Sequence, residues 1–461
     1  MVAESSPTPA SEAKAHFFEQ TPKSLAAWCE NRGMKPFRAQ QILEWVYQKG
    51  IADPAEMSNL SKLDRDILSR EMVFLTGDVI RQQLASDGTL KLLVQWRELG
   101  EANERTSERA NEGDGKKISL PLSGGEANDP TRQTECVMIP TEDRRTACIS
   151  SQVGCPVGCK FCASGLGGLD SNLSAGRIVE QVWLLRKAMG APTLRDGTLP
   201  ETSGVVAGAW TKATSGEGDS AAGGVSASAV SGSARRAEIP KVAANADVRE
   251  FPRITNVVFM GMGEPLSNLA NVVPAIRTIC SLWAMGISAR KVTISTVGLP
   301  KAIERLSEQL ELPVTLALSL HAPNDEIRRQ LIPWAEYTTI SDLLAACQKW
   351  FSKTGREITL EYTLLRGVND QPKHAKELSQ IAKTLRANIN LIRYNEVQGL
   401  PFQRPVDDDV RAFQDFLRSK NINVHIRASR GRDIAAACGQ LRHETGSKQR
   451  KQAVNARSER E

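Results

Sequence analysis

The chain has 461 residues, of which 41% are hydrophobic, and its 59 Lys and Arg outweigh 53 Asp and Glu by a net charge of +6. No apolar run approaches the roughly 18 residues of a membrane-spanning helix, and the N-terminus, MVAESSPTPASEAKAHF, lacks the pattern of a signal peptide. We therefore expect a cytoplasmic protein without membrane contact. Its cysteines should stay reduced, so a cysteine cluster is more typical of a metal site or catalysis than of disulfides. The modest positive charge permits a nucleic-acid partner without requiring one.

The first 77 residues are predicted to form a disordered N-terminus over residues 1–20 and a helical domain over residues 21–77. Apolar residues recur at helical spacing in KPFRAQQILEWVYQKG, residues 35–50, and Gly50 is a typical helix stop. This spacing brings four side chains near one face: Phe37, Ile42, Trp45 and Val46. Basic residues, namely Lys35, Arg38 and Lys49, flank the helix. Composition alone favours ordinary surface charge for them over contact with RNA.

A β region is predicted over residues 78–145. Its strand-like runs, at 88–99 and 134–140, are typical of a hairpin-like pair. Much of the sequence between them, GEANERTSERANEGDGKK, is polar and carries no large apolar side chain. We therefore predict a disordered insertion at about 100–130.

Residues 146–441 alternate short β-branched runs with helical ones. Six βα units are recognisable, with a further strand at 422–428. Such alternation predicts a parallel sheet with helices outside. Six units are fewer than the eight of a complete barrel, so a partial barrel and an open doubly wound sheet both fit the pattern.

Two segments of this part of the chain are predicted to be disordered. One is an insertion at about 190–250, since 21 of the 31 residues from 203 to 233 are Ala, Gly or Ser and cannot form a core. The other is the basic tail at 442–461, which holds almost no large apolar residue.

Four cysteines lie close together in CISSQVGCPVGCKFC, residues 148–162. Cys155, Cys159 and Cys162 follow a predicted strand in a loop with Gly and Pro, so their thiolates can converge. Zinc would need a fourth ligand, normally from a second pair of Cys or His downstream, and the sequence offers none. A [4Fe–4S] cluster held by three cysteines leaves one iron free to hold a substrate or cofactor.

The stretch CPVGCKFC resembles the cluster motif of radical S-adenosylmethionine (SAM) enzymes. That resemblance implies a partial (β/α)6 barrel, with SAM bound to the free iron and cleaved by one electron to a 5′-deoxyadenosyl radical. It favours the partial barrel over the open sheet.

Further motifs follow successive strands at the ends where this architecture binds its ligands: GMGEPL, STVG, SLHAPND and LIRYN. Together with TECVMIP, ACISSQVGC, CKFCASG and RDIAAACGQL they resemble the RlmN/Cfr family of radical SAM RNA adenine methyltransferases, over residues 24–441 apart from the insertions. The family carries an N-terminal RNA-binding domain, which favours that role for residues 21–77. The resemblance implies these SAM contacts: Gly263, Glu264, Ser295, Ser319, Leu320, His321 and Asn395.

The same resemblance implies three catalytic residues. Cys438 matches the cysteine that takes a methyl group from one SAM and loses hydrogen to a radical made from a second. Cys148 matches the cysteine that resolves the protein–RNA adduct through a transient disulfide with Cys438. Glu135 matches a proton acceptor, although a solvated strand-end carboxylate is the alternative. From the residues alone, Arg430 and Arg432 suggest a lowered pKa for Cys438, and a small packing residue beside alanines is the alternative.

The predicted function is methylation of adenine C2 in 23S rRNA, at the peptidyl-transferase centre, with a tRNA anticodon-loop adenosine as second substrate. Methylation of C8 at the same rRNA adenine is the first alternative. A non-catalytic iron–sulfur RNA-binding protein is the second, and a zinc module is the third. The expected partners are RNA and an electron donor such as flavodoxin or ferredoxin, and the expected state is a monomer.

Overall fold

The computed structural model describes residues 14–97, 132–190 and 251–441. The insertions predicted at about 100–130 and 190–250 fall outside the described residues. The tail predicted at 442–461 lies outside the described residues, as do residues 1–13. Within the described ranges, no helix is long and apolar enough to cross a membrane.

The β-strands are, in chain order, β1 (Ala15–His16), β2 (Met72–Val73), β3 (Gly77–Leu84), β4 (Leu90–Trp96), β5 (Gln133–Pro140), β6 (Arg145–Cys148), β7 (Gln152–Gly154), β8 (Leu169–Asn172), β9 (Asn256–Phe259), β10 (Val292–Thr296), β11 (Thr315–Ser319), β12 (Ile358–Leu364), β13 (Ala387–Arg393) and β14 (Val424–Arg427). The α-helices are α1 (Pro22–Glu30), α2 (Arg38–Leu43), α3 (Lys62–Glu71), α4 (Ala175–Gly190), α5 (Leu269–Cys280), α6 (Pro300–Gln309), α7 (Asp325–Leu331), α8 (Ile340–Thr354), α9 (Pro372–Lys383) and α10 (Asp407–Ser419).

Ten strands form the main sheet of the described structure, in the order β14-β13-β12-β11-β10-β9-β6-β5-β4-β3. From β6 to β14 all pairings are parallel, and a helix lies between each strand and the next. The six predicted βα units and their further strand are therefore present. Aliphatic residues of these strands are fully buried: Val257, Ile294, Leu316 and Leu360. Strands buried by helices have this composition.

The sheet curves so that its two ends approach each other. Ser86, just after edge strand β3, donates its backbone N–H to Asp433, just after edge strand β14, at 2.8 Å. The residues beyond β14 thus reach across the opening between the edge strands. This curvature is that of a partial barrel rather than an open, flat sheet.

The predicted hairpin-like pair is present as β4 and β5, which are antiparallel. The structure adds β3 before them, and β5 pairs antiparallel with β6. These three strands therefore continue the parallel array as one sheet. We call β3, β4 and β5 the extension.

The N-terminal part differs from the prediction at its boundary and in its first helix. Residues 14–20 are ordered rather than disordered, because Phe17 and Phe18 are buried and pack on Tyr47. The helix predicted in residues 35–50 consists of α2 followed by a π-helical turn, Glu44–Gln48. Its buried face includes Ile42, Trp45 and Val46 as expected, but Phe37 is 53% exposed.

Candidate functional site

A cleft opens at the C-terminal ends of the parallel strands and encloses about 970 Å³ of space, counting its open mouth. This is where barrels of this type bind their ligands. Of the thirteen predicted site residues, these nine line it: Cys155, Cys159, Cys162, Gly263, Glu264, Ser295, Ser319, His321 and Asn395. Cys438 lines it as well, whereas Leu320, Glu135 and Cys148 do not.

The cluster loop, residues 155–162, follows β7 and is shaped by glycine. Gly154 has a φ of +77°, and a Cβ there would lie 2.0 Å from the carbonyl oxygen of Gly168. Only glycine fits such a position. The neighbouring Cys155 N–H donates to the same carbonyl at 2.9 Å, which anchors the loop where its first thiol begins.

The three loop thiols are chemically suited to an iron–sulfur cluster. Burial raises the pKa of Cys155 to about 12, and burial together with the neighbouring thiols Cys162 and Cys155 raises the pKa of Cys159 well above its usual value. Three adjacent, half-buried thiols ionise at a cost unless a cationic centre compensates their charge, and a bound metal deprotonates them. The donor set therefore fits a cationic iron–sulfur centre.

Ligands of a single metal ion must crowd around one centre, whereas the cysteines of a [4Fe–4S] cluster bind different irons. In residues 14–97, 132–190 and 251–441, no three side chains of His, Cys, Asp or Glu are grouped closely enough to hold one metal ion.

Glu264 lies at the start of the turn after β9 and is 3% exposed. One carboxylate oxygen accepts the N–H of Leu266 at 3.0 Å and the other accepts the N–H of Val297 at 2.8 Å. Burial outweighs these hydrogen bonds and raises its pKa to about 6. A carboxylate offers about four acceptor positions, so the group retains capacity for a ligand ammonium.

His321 adopts a left-handed backbone conformation, with a φ of 55°. Its Nδ1 accepts the N–H of Thr363 at 3.1 Å, and its ring packs edge-on against Phe161, with the ring centroids 5.1 Å apart. Burial lowers its pKa to about 3, so the ring is neutral. Because Nδ1 is an acceptor, the ring proton is assigned to Nε2, which makes that atom a donor.

Three further predicted contacts lie close by, and the side chain of a fourth lies elsewhere. The hydroxyls of Ser295 and Ser319 are 3.2 Å apart at the ends of adjacent strands. Asn395 donates its side-chain amide to the backbone carbonyl of Cys438 at 3.2 Å. Leu320 is fully buried, so a ligand contact from this residue would have to come from its backbone.

The two cysteines predicted to act together differ in their exposure to solvent. Cys148 ends β6 and is buried with Met262, Ile434 and Ala436. Cys438 is exposed toward the cleft. Burial and the nearby Cys438 thiol together raise the pKa of Cys148 to about 12. The two thiols are therefore close enough to influence each other.

The pKa expected for Cys438 was wrong in direction. Removal from bulk water in the cleft raises the pKa of Cys438. The positive charge that opposes this shift is that of Arg427, and not that of Arg430 or Arg432. Arg430 instead lies 3.9 Å from Asp87. Arg427 also lowers the pKa of Cys148, so one guanidinium favours the thiolate form of both cysteines.

Glu135 is not a solvated strand-end carboxylate. It lies inside β5 and forms a buried ion pair with Lys91 of β4, with Oε1 and Nζ 2.7 Å apart. Lys91 also donates to the carbonyl of Ala435 at 3.3 Å. Glu135 does not line the cleft, but it is connected through Lys91 to the turn that carries Cys438.

Sequence reasoning missed two charged residues of the cleft, Arg427 and Glu361. Their carboxylate and guanidinium atoms are 3.8 Å apart, and Glu361 is 3% exposed. Each is a charged residue within a predicted apolar strand, INVHIRA or EITLEYTLL, and such a residue is rarely buried without a role. The charged residue inside each apolar run could therefore have identified these two positions from the sequence.

The chain matches two family models. Residues 16–73 match the ribosomal RNA large subunit methyltransferase N-terminal domain, and residues 230–378 match the radical SAM superfamily. The first match covers the ordered N-terminal part almost entirely. The second begins after the cluster loop.

Curated relatives match most of the chain. A probable dual-specificity RNA methyltransferase RlmN of Thermosynechococcus vestitus is 36% identical over 91% of this chain and 95% of its own length. The dual-specificity RNA methyltransferase RlmN of Marinobacter nauticus is 36% identical over 90% and 89%. The crystal structure of a radical SAM methyltransferase from Sphaerobacter thermophilus is 30% identical, with a TM-score of 0.70 over 93% of this chain and 99% of that one. The chain therefore belongs to the RlmN family of dual-specificity RNA methyltransferases, which confirms the predicted radical SAM fold, the [4Fe–4S] cluster and S-adenosylmethionine.

Proposed function

We propose that this protein methylates C2 of an adenine in 23S rRNA, and of an anticodon-loop adenine in tRNA, by way of a methyl group carried on Cys438. One observation carries the proposal. The thiol of Cys438 opens into the same cleft as the three loop cysteines and the strand-end residues, with Cys148 just beyond it. Two reactive thiols beside a cluster-binding loop are more than RNA binding alone requires.

The chemistry explains why a radical enzyme is needed. C2 of adenine is an electron-poor sp² carbon and not a nucleophile, so it cannot attack the methyl group of SAM directly. When bound, the cluster and SAM supply an activated methyl group and, after one-electron reduction, a carbon radical that removes hydrogen. In this proposal Cys155, Cys159 and Cys162 hold the cluster, and the predicted strand-end residues hold SAM.

Cys438 is the carrier. Its thiol loses a proton and takes a methyl group, forming a thioether. After one hydrogen atom is removed from that methyl group, its carbon bonds to C2 of the base. The resulting adduct radical must then lose one electron, for which the oxidised cluster that Cys155, Cys159 and Cys162 would hold is the acceptor. Arg427 lowers the pKa of Cys438 against the effect of burial, and so favours the thiolate that the first step needs.

Cys148 releases the product. Its sulfur attacks the sulfur of Cys438, a disulfide forms, and the bond between Cys438 and the methylene carbon breaks. The electron pair leaves toward the base, and the carbon gains a proton to become a methyl group. The proton on C2 must also be lost, and we assign its acceptance to Glu135 on the family resemblance.

The N-terminal part supports contact with RNA. Phe37 is 53% exposed and Lys35 is also exposed, which suits base stacking and a phosphate contact. Arg38 is less free, since Asp64 pairs with it at 3.2 Å. We further propose a flavodoxin or ferredoxin as electron donor, a monomer as the working state, and the cytoplasm as its location.

Anaerobic reconstitution of the cluster, followed by SAM and a reductant, tests the mechanism. We expect 5′-deoxyadenosine in solution and one added methyl group on Cys438, located by peptide mass spectrometry. A chain that makes neither would be the non-catalytic iron–sulfur RNA-binding protein. A chain without the broad visible absorption of a cluster would be the zinc module.

Mass mapping of rRNA adenosines in cells with and without the protein tests the position of methylation. We expect 2-methyladenosine only where the protein is present, and the same change in tRNA. Finding 8-methyladenosine instead would establish the alternative regiochemistry.

A further inference from the structure

Residues 430–441, here called the C-terminal turn, carry Cys438 and are held from two sides. On the cleft side, Asn395 donates to the carbonyl of Cys438, and the N–H of Ala163 donates to the carbonyl of Gly439 at 2.8 Å. These contacts tie the turn to the cluster loop and the candidate SAM site. The other side faces residues 85–89, the loop between β3 and β4, here called the extension loop.

A reciprocal pair of carboxylates joins the C-terminal turn to the extension loop. Asp87 accepts the N–H of Gly431 at 3.0 Å, and Asp433 accepts the N–H of Ser86 at 2.8 Å. Asp87 also accepts the N–H of Thr89 at 3.0 Å, which fixes its own side chain. Each loop therefore uses a carboxylate to bind a backbone N–H of the other.

The backbone of the C-terminal turn is unusual where the extension touches it. Gly431 has a φ of +64°, and a Cβ there would lie 2.8 Å from Cγ2 of Thr89. Ala435 is also left-handed, with a φ of 50°, and its carbonyl accepts the ammonium of Lys91. Left-handed alanine is strained by about 1–2 kcal/mol and persists only when its surroundings hold it.

Partial burial by itself would raise the pKa of Asp87. Hydrogen bonds from Thr89 and Gly431, and the charge of Arg430, instead lower it below the usual value. The carboxylate is therefore ionised at neutral pH, and a charged acceptor forms stronger hydrogen bonds than a neutral one.

We propose that Asp87 is a positioning residue for the methyl-carrying thiol, acting through the backbone of Gly431 to fix where the C-terminal turn presents Cys438. This inference rests on the proposed function of Cys438. That thiol must meet a methyl donor, a nucleobase and Cys148 in succession. Small displacements of a reacting group lower rates steeply, so a turn held on only one side would present the thiol poorly.

The test compares Asp87→Ala with Asp78→Ala. Asp78 lies in β3, the strand that leads into the extension loop, and forms an ion pair with Arg97 at 3.1 Å. Its variant therefore removes a charged pair from the extension without touching the C-terminal turn. In the reconstituted enzyme we measure 5′-deoxyadenosine and methylated RNA in the same reaction. For Asp87→Ala we expect the yield of methylated RNA per 5′-deoxyadenosine to fall about tenfold, while Asp78→Ala matches the wild type.

Asp87→Asn is a conservative variant that keeps the shape and one carbonyl acceptor, so it should recover part of that yield. A purely structural role would lower 5′-deoxyadenosine and methylated RNA together and leave their ratio unchanged. Equal ratios in Asp87→Ala and Asp78→Ala would overturn the proposal.

Hydrogen–deuterium exchange of the backbone amides in residues 430–438 gives a second readout that does not depend on turnover. We expect faster exchange there in Asp87→Ala than in Asp78→Ala, with similar melting temperatures. Unchanged exchange contradicts the role of Asp87 even if catalysis proceeds as proposed. A wild-type chain that never methylates Cys438 contradicts the proposed function instead, and the two failures are thereby distinguished.

Discussion

The cleft has two walls that are built differently. The cofactor wall consists of the cluster loop, residues 155–162, and the strand ends after β9 to β11. Its key groups are bound by nearby parts of the parallel array, as when Glu264 accepts the N–H of Val297, 33 residues away. The thiol wall consists of Cys148 and the C-terminal turn. Its contacts span the chain, as when Ser86 binds Asp433, 347 residues away.

Each wall also contains a non-glycine residue in a left-handed conformation. On the cofactor wall it is His321, whose Nδ1 is bound by the next strand. On the thiol wall it is Ala435, bound by Lys91 of the extension. The cofactor wall can therefore form with the array itself, whereas the thiol wall takes shape only when the curved sheet brings its ends together.

Removing one thiol from each wall should separate their functions most strongly. Cys159→Ala should abolish the visible absorption of the cluster and lower 5′-deoxyadenosine production by about 1000-fold or more, because a cluster ligand is lost. Cys438→Ala should keep the absorption and abolish RNA methylation. Absorption spectra and nucleoside mass spectrometry measure both. Loss of the cluster in Cys438→Ala would contradict the separation of the walls.

In the thiol wall, the positive charge of Arg427 lowers the pKa of both Cys148 and Cys438. Arg427→Gln removes it, so the thiolate of Cys148 becomes rarer and release of the protein–RNA adduct should slow about 10- to 100-fold. Adduct trapped on a denaturing gel measures this. Arg427→Lys keeps the charge and should release adduct faster than Arg427→Gln.

The same step should depend on pH. The pKa of Cys148 is about 12. Below that value the thiolate fraction rises about tenfold per pH unit, so adduct release should accelerate as pH rises from 7 to 9. A release rate independent of pH would show that ionisation of Cys148 is not what limits it.

In the cofactor wall, Glu264 should make the free energy of unfolding depend on pH. Burial raises its folded pKa to about 6, above the ordinary value of 4.5 for a glutamate, so its protonated form stabilises the fold. That contribution is complete below about 4.5 and is lost as pH rises through about 6, a change of about 2 kcal/mol. Urea unfolding of the SAM-free protein between pH 4 and 7 measures it. Glu264→Gln cannot ionise and should lose this pH dependence, while Asp78→Asn should retain it.

The difference between the walls also explains what could be predicted from sequence. The meeting of the loop cysteines and most strand-end residues in one cleft was predictable because the carboxyl ends of parallel strands meet at one edge. Leu320 is the exception, since its place in the motif does not reveal that its side chain points into the core. Residue spacing predicts which strand end a residue follows, but not which way each side chain faces.

The thiol wall was less predictable from the residues alone. The ion pair of Lys91 and Glu135, and the role of Asp87 opposite Gly431, depend on how strongly the sheet curves. Local pattern carries no information on that curvature. Proximity in sequence even suggested the wrong cations for Cys438, because Arg430 points to Asp87 while Arg427 faces the cleft.

The smallest expected effect concerns the strain held in the thiol wall. Ala435→Gly relieves a left-handed alanine, a gain of about 1–2 kcal/mol, offset by the greater freedom of glycine in the unfolded chain. We expect a net stabilisation of less than about 1 kcal/mol. Ala437→Gly, two residues on, should instead destabilise by about 1 kcal/mol, because this buried alanine has no positive φ to relieve. Urea unfolding measures both. Destabilisation of similar size at the two positions would mean that the extension does not hold Ala435 in a strained conformation.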